Sequence, residues 1–83
     1  MACDPSCPEK TAQLRSRILA RDRMKTILSR NEDFLKRNPK ANPSIVMKIQ
    51  SNKIIARLEI ETLENEILPL SAYVEKKGCK RCP

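Results

Sequence analysis

The stretch RNPKANPS, residues 37–44, holds two Asn-Pro pairs and divides the 83-residue chain into two long segments. Asn38 followed by Pro39 predicts the end of a helix, because a left-handed asparagine can close the last turn and proline cannot continue it. Asn42 followed by Pro43 predicts a new helix, since asparagine caps free N–H groups and proline suits the first helical position. A turn this short makes the two helices antiparallel neighbours.

The segment after the turn carries a heptad pattern, with residues spaced alternately three and four apart. Its members are Val46, Ile49, Lys53, Ala56, Ile60, Leu63, Ile67, Leu70 and Val74. All but Lys53 are apolar, which is typical of a helix that packs against another in a left-handed supercoil. Pro69 lies inside the pattern and predicts a kink, because proline removes one backbone hydrogen bond.

The segment before the turn carries a less regular seam. Its members are Leu14, Ile18, Arg21, Met24, Leu28, Asn31 and Leu35. Ile27 and Phe34 widen this seam, while the polar members weaken its packing and can fix the register. We therefore predict one all-α domain, residues 1–83, folded as an antiparallel two-helix hairpin. Helix 1 is expected at about 8–37, the turn at 38–42 and helix 2 at about 43–77, followed by a glycine stop at Gly78.

Four cysteines lie in two close pairs at opposite ends of the chain, in CDPSC at 3–7 and CKRC at 79–82. The two predicted helices would be about 45 and 52 Å long at 1.5 Å per residue, so a hairpin brings both pairs to its open end. Four thiolates in two tight pairs match a tetrahedral zinc site. We predict one structural zinc per chain, held by Cys3, Cys7, Cys79 and Cys82.

Two other interpretations of the cysteines remain open. Two disulfides, such as Cys3 with Cys82 and Cys7 with Cys79, would close the same hairpin. That layout resembles the disulfide-stapled helical hairpins of some plant defence peptides and implies a secreted protein. A redox-active C-x-x-C is the other possibility. No apolar run approaches 18 residues and MACDPSCPEK has no apolar signal core, so we expect an intracellular protein, cytoplasmic or nuclear, where a metal is favoured over disulfides.

Positive charge is concentrated before and within the turn. Residues 9–40 hold ten Lys or Arg and four Asp or Glu, whereas residues 41–78 hold five of each. The candidate nucleic-acid-binding residues are Arg15, Arg17, Arg21, Arg23, Lys25, Arg30 and Arg37, because a basic stripe can track phosphates. An acidic block in helix 2, residues 59–66, would lie opposite part of this stripe and could neutralise it.

Helix 2 has more apolar surface than one partner helix can bury. Its off-seam apolar residues are Met47, Ile54, Ile55, Leu58 and Leu68. An exposed apolar patch marks an interface, so we expect either a homodimer, in which two hairpins form a four-helix bundle, or a groove for a protein partner's helix.

Catalysis is not expected, because the chain has no histidine and no glycine-rich loop. The predicted function is a non-enzymatic, zinc-stapled interaction or regulatory module, with no membrane contact and no small-molecule substrate. A basic nucleic-acid-binding regulator is the first alternative. A secreted disulfide-stapled hairpin is the second.

Overall fold

The computed structural model describes residues 4–81, which form a helical hairpin. Helix α1 spans Cys7–Arg37 and helix α2 spans Pro43–Lys76, followed by a single 3-10 turn at Cys79–Arg81. The residues in this range contain no strand, so the all-α, two-helix prediction is confirmed. The hairpin is a rod of 62 × 18 × 14 Å. Neither long helix has the apolar stretch that crossing a membrane would need, within the range described.

The turn uses its two asparagines in different ways. Asn38 ends α1 with φ −125°, so the predicted left-handed stop is wrong. Its side-chain amide instead donates a hydrogen bond to the Phe34 carbonyl at 2.9 Å, and its backbone N–H donates to the same oxygen at 3.0 Å. The following proline explains the difference, because it pushes the preceding residue toward an extended backbone. At Asn42, the predicted cap is present: its side-chain oxygen accepts the Ser44 N–H at 3.0 Å.

The two heptad seams face each other along the whole rod. Every residue of the predicted seam in α2 and every residue of the predicted seam in α1 is buried or half-buried. The opposite side of α2 is exposed, as expected when one stripe of a helix packs on one neighbour. Two antiparallel helices with complementary seams therefore account for the hairpin.

The buried core lies at the open end of the hairpin, away from the turn. It consists of Cys7, Leu14, Ile67, Val74 and Cys79, with Ile18, Leu70 and Tyr73 packed against it. Toward the turn, Ala56 is the single buried residue of the described range. A two-helix hairpin has only one layer of side chains between its helices, so its core stays thin.

Helix α2 runs through Pro69 and ends at a glycine. Pro69 and Asn65 are both exposed, so water can bind the Asn65 carbonyl that proline leaves without a donor. The kink near Pro69 stays a prediction. Gly78 has φ +63° and follows the last helical turn, which fits the predicted stop because glycine adopts this conformation without steric cost.

One buried polar group weakens the seam and supports a first prediction. The Asn31 side-chain Nδ2 is buried with no hydrogen-bond partner among the residues described. Replacing Asn31 by leucine should raise the free energy of unfolding by about 1–2 kcal/mol, because the unpaired amide is removed and an apolar contact is added. Urea denaturation of Asn31→Leu measures this. Asn52 is exposed, so Asn52→Leu is the matched control and should change the free energy of unfolding by less than about 0.5 kcal/mol. An equal increase in both variants would show that burial of the Asn31 amide is not the cause.

Candidate functional site: the disulfide and two outer helix faces

The open end of the hairpin is closed by a disulfide between Cys7 and Cys79. Their Cα atoms lie 5.3 Å apart, and 72 positions of sequence separate them. Cys7 is 1% exposed and Cys79 is 6% exposed, so both belong to the core. Cys7 is the first residue of α1, and Cys79 follows the glycine that ends α2. The expected meeting of the two chain ends is therefore present at these two cysteines.

This bond overturns the predicted zinc site. Cys7 and Cys79 are bonded to each other, so neither can supply the thiolate that a zinc ion requires. Within residues 4–81, no group of three or more His, Cys, Asp or Glu side chains could hold a metal ion. The prediction of one structural zinc per chain on Cys3, Cys7, Cys79 and Cys82 is thus wrong. Of these residues, Cys3 and Cys82 lie outside the described range.

A short polar network orders the segment before α1. The Asp4 carboxylate accepts the Ser6 N–H at 2.8 Å, and the Asp4 carbonyl accepts the Cys7 N–H at 3.0 Å. Lys77, at the end of α2, lies 3.7 Å from the same carboxylate. The hydrogen bonds from Ser6, aided by the Lys77 charge, lower the pKa of Asp4. The ionised Asp4 carboxylate therefore stabilises the end of the hairpin that holds the disulfide above about pH 4. This stabilisation is lost as the pH falls through the lowered pKa of Asp4.

Part of the predicted basic stripe is engaged within the chain. Arg17 pairs with Glu66, and Lys25 lies 3.8 Å from Glu64, so two members bind the acidic block of α2. The Arg21 guanidinium lies 3.2 Å from the carboxylate of its neighbour Asp22. These contacts reduce the charge that the stripe can offer to a phosphate.

The other members of the stripe are free on the outer face of α1. In the range described, Arg15, Arg23, Arg30 and Arg37 form no ion pair, and all four are exposed. Arg23, Arg30 and Arg37 are seven residues apart, so they form one line with steps of about 10 Å. We call this line the basic row. Its role in nucleic-acid binding stays a prediction.

The outer face of α2 is apolar at the positions singled out from the sequence. The exposed fractions are 70% for Met47, 58% for Ile54, 54% for Ile55, 58% for Leu58 and 68% for Leu68. Leu58 also borders a shallow groove with Ala20 of α1 and with Glu59, Thr62 and Leu63. The outer apolar face is the name used below for Met47, Ile54, Ile55, Leu58 and Leu68.

Sequence reasoning missed some of the exposed apolar surface. Ile45 is 46% exposed and Leu19 is 53% exposed, although neither was placed in a candidate site. Ile27 and Phe34, which were expected to widen the α1 seam, keep 42% and 38% exposure. The thin interface explains this, because one partner helix cannot cover residues at the edge of a seam.

The chemistry available on these surfaces follows from their side chains. Aliphatic side chains can be buried against another apolar surface, and guanidinium groups can bind anions. Comparison of the chain with protein-family models, curated proteins and solved structures gave no match. The functional interpretation therefore rests on the residues themselves.

Proposed function

We propose that the chain is a non-enzymatic interaction module, a disulfide-closed helical hairpin that docks through the outer apolar face. The occupant of that face is a second copy of the chain, and the resulting dimer contains four helices. The observation that carries the proposal is the exposure of five large apolar side chains on one helix, each between 54% and 70%. Such a face is costly in water and is stabilised by burial in an interface.

Surface area supports a second copy as the occupant. The chain exposes 6588 Å², whereas a compact chain of this size exposes about 5,000 Å². Each partner in a stable complex buries about 800 Å². The surplus of about 1,500 Å² can thus supply such an interface. Two-fold pairing is the simplest way to cover identical faces, because each copy then buries the patch of the other.

The disulfide also bears on where such a module works. Disulfides form and persist in oxidising compartments and are rare in the cytosol and nucleus. The Cys7–Cys79 bond supports an oxidising compartment in place of the intracellular location expected from the sequence. It also supports the disulfide-stapled alternative over the zinc-stapled one.

Sedimentation equilibrium of the oxidised protein tests the proposal. From micromolar to millimolar concentration, the mass is expected to rise from that of one chain to that of two. A single-chain mass throughout this range would contradict self-association.

A second candidate function rests on the basic row. Three aligned arginines that are free of ion pairs in the described range could bind successive phosphates of a nucleic acid. Duplex DNA binding is then expected to weaken with salt, with a slope of log K against log salt of about −0.9 per phosphate contacted.

A triple substitution tests the basic row. Arg23→Gln, Arg30→Gln and Arg37→Gln together should reduce the salt slope by about 3, because three phosphate contacts are removed. Fluorescence anisotropy with a labelled duplex measures the slope. Arg17→Gln is the control and should reduce the slope by less than the roughly 0.9 expected for one free arginine, since Arg17 is already paired with Glu66. Salt-independent binding, or an unchanged slope in the triple variant, would contradict this candidate function.

A further inference from the structure

Helix α2 carries a second heptad pattern on the side away from α1. Its members again alternate three and four residues apart: Ser44, Met47, Ser51, Ile54, Leu58, Glu61, Asn65, Leu68 and Ala72. All nine are exposed, whereas the nine residues of the first α2 seam are buried or half-buried. We call this second pattern the outer seam. An alternating three-four pattern fits a partner helix better than a flat surface, because knobs-into-holes packing has this period.

The composition of the outer seam is uneven in one respect. Five of its members are apolar and three are uncharged polar residues. Glu61 is its single charged member, and it lies between the apolar Leu58 and the uncharged Asn65. A carboxylate at such a position opposes the pairing that the rest of the seam favours.

We propose that the homodimer forms by pairing the outer seams of two α2 helices, and that the negative charge of Glu61 limits its affinity. This inference rests on the proposed function, since it concerns the same face and the same partner. In a parallel pairing, Glu61 faces Glu61 of the second copy. In an antiparallel pairing, it can face an uncharged seam position such as Asn65. In either case the carboxylate loses water with no cation directly opposite it, which opposes association.

The charges around Glu61 do not relieve this cost. Arg57, one turn earlier, lies 3.3 Å from Glu32 of α1, and Glu64, nearly one turn later, lies 3.8 Å from Lys25 of α1. Lys48 is about 20 Å away along the helix. Helix α1 packs on the opposite side of α2, so its charges do not face Glu61. The second copy would add its own Arg57, Glu61 and Glu64, with the same internal pairs.

The experiment compares wild type with Glu61→Gln by sedimentation equilibrium at neutral pH. Glu61→Gln should dimerise about 10-fold more tightly, because it removes the charge and keeps the shape. Circular dichroism of both proteins checks that the helices remain.

Glu59→Gln is the matched control, since Glu59 lies on the same helix but outside the outer seam. An equal gain in Glu59→Gln would mean that net charge, not the seam position, sets the affinity, and would overturn the inference. A dimer whose affinity does not change with Glu61→Gln would also overturn it, while leaving the proposed self-association intact. A protein that stays monomeric in wild type and in every variant would refute the proposed function itself.

Discussion

Reduction of the Cys7–Cys79 disulfide is expected to lower the free energy of unfolding by about 4 kcal/mol. The bond closes a loop across 72 positions, and the chain-entropy relation gives about 3 kcal/mol for a 15-residue loop and about 4.7 kcal/mol for a 100-residue loop. A chain of this length has a total stability of roughly 4–12 kcal/mol. Because the rest of the core is one thin layer, reduction should remove much or most of the helical structure at 37 °C.

Urea unfolding followed by circular dichroism, with and without reductant, measures this effect. With reductant present, the double variant Cys7→Ala, Cys79→Ala should unfold at a similarly low urea concentration. Without reductant, Cys3→Ala, Cys82→Ala keeps the Cys7–Cys79 bond and should still unfold at a higher one. A chelator should leave the midpoint unchanged, since Cys7 and Cys79 are bonded to each other. Equal midpoints in oxidised and reduced protein would contradict the stabilising role of the disulfide.

Leu58→Glu is expected to weaken self-association by about 100-fold or more. Leu58 lies near the middle of the outer apolar face and is 58% exposed in the single chain. In the dimer, the introduced carboxylate would be buried without a partner. Substitution of a hot-spot residue in an interface commonly costs more than about 2 kcal/mol of binding free energy. The hairpin itself should keep most of its stability, because Leu58 is more than half exposed in the single chain.

Sedimentation equilibrium and circular dichroism of the same samples separate these two effects. Leu19→Glu is the matched control, since Leu19 is 53% exposed but belongs to α1. It should leave the dimer unchanged. If Leu58→Glu stays dimeric while Leu19→Glu becomes monomeric, the interface lies on α1 and the outer apolar face is not the docking surface.

The hairpin could be predicted from the sequence because its causes are local and periodic. Proline at the first turn of each helix, the Asn42 cap and the two heptad seams depend on residues within a few positions of one another. The backbone of Asn38 was not predicted correctly. Its side chain closes the helix by a hydrogen bond to Phe34, and the following proline restricts its backbone, so two local rules competed at one residue.

The chemistry of the cysteines could not be predicted in the same way. Two close pairs at the ends of a hairpin suit a tetrahedral metal site and a disulfide framework equally well. The distance between two particular sulfur atoms decides between them, and that distance depends on how α1 and α2 align over their whole length. The free or paired state of each arginine likewise depends on which side chain of the other helix lies opposite.

By itself, the sequence determined that this chain forms two long amphipathic helices joined by a five-residue turn, since helix formation and capping are local. It also determined that α2 has more apolar surface than α1 can cover. Only the tertiary structure decided that Cys7 and Cys79 form a disulfide in place of a zinc site, and that the basic row stays free while Arg17 and Lys25 bind α2. The physical reason is that bond formation and ion pairing require atoms to meet within a few ångströms, which sequence spacing along one helix does not specify for residues on another.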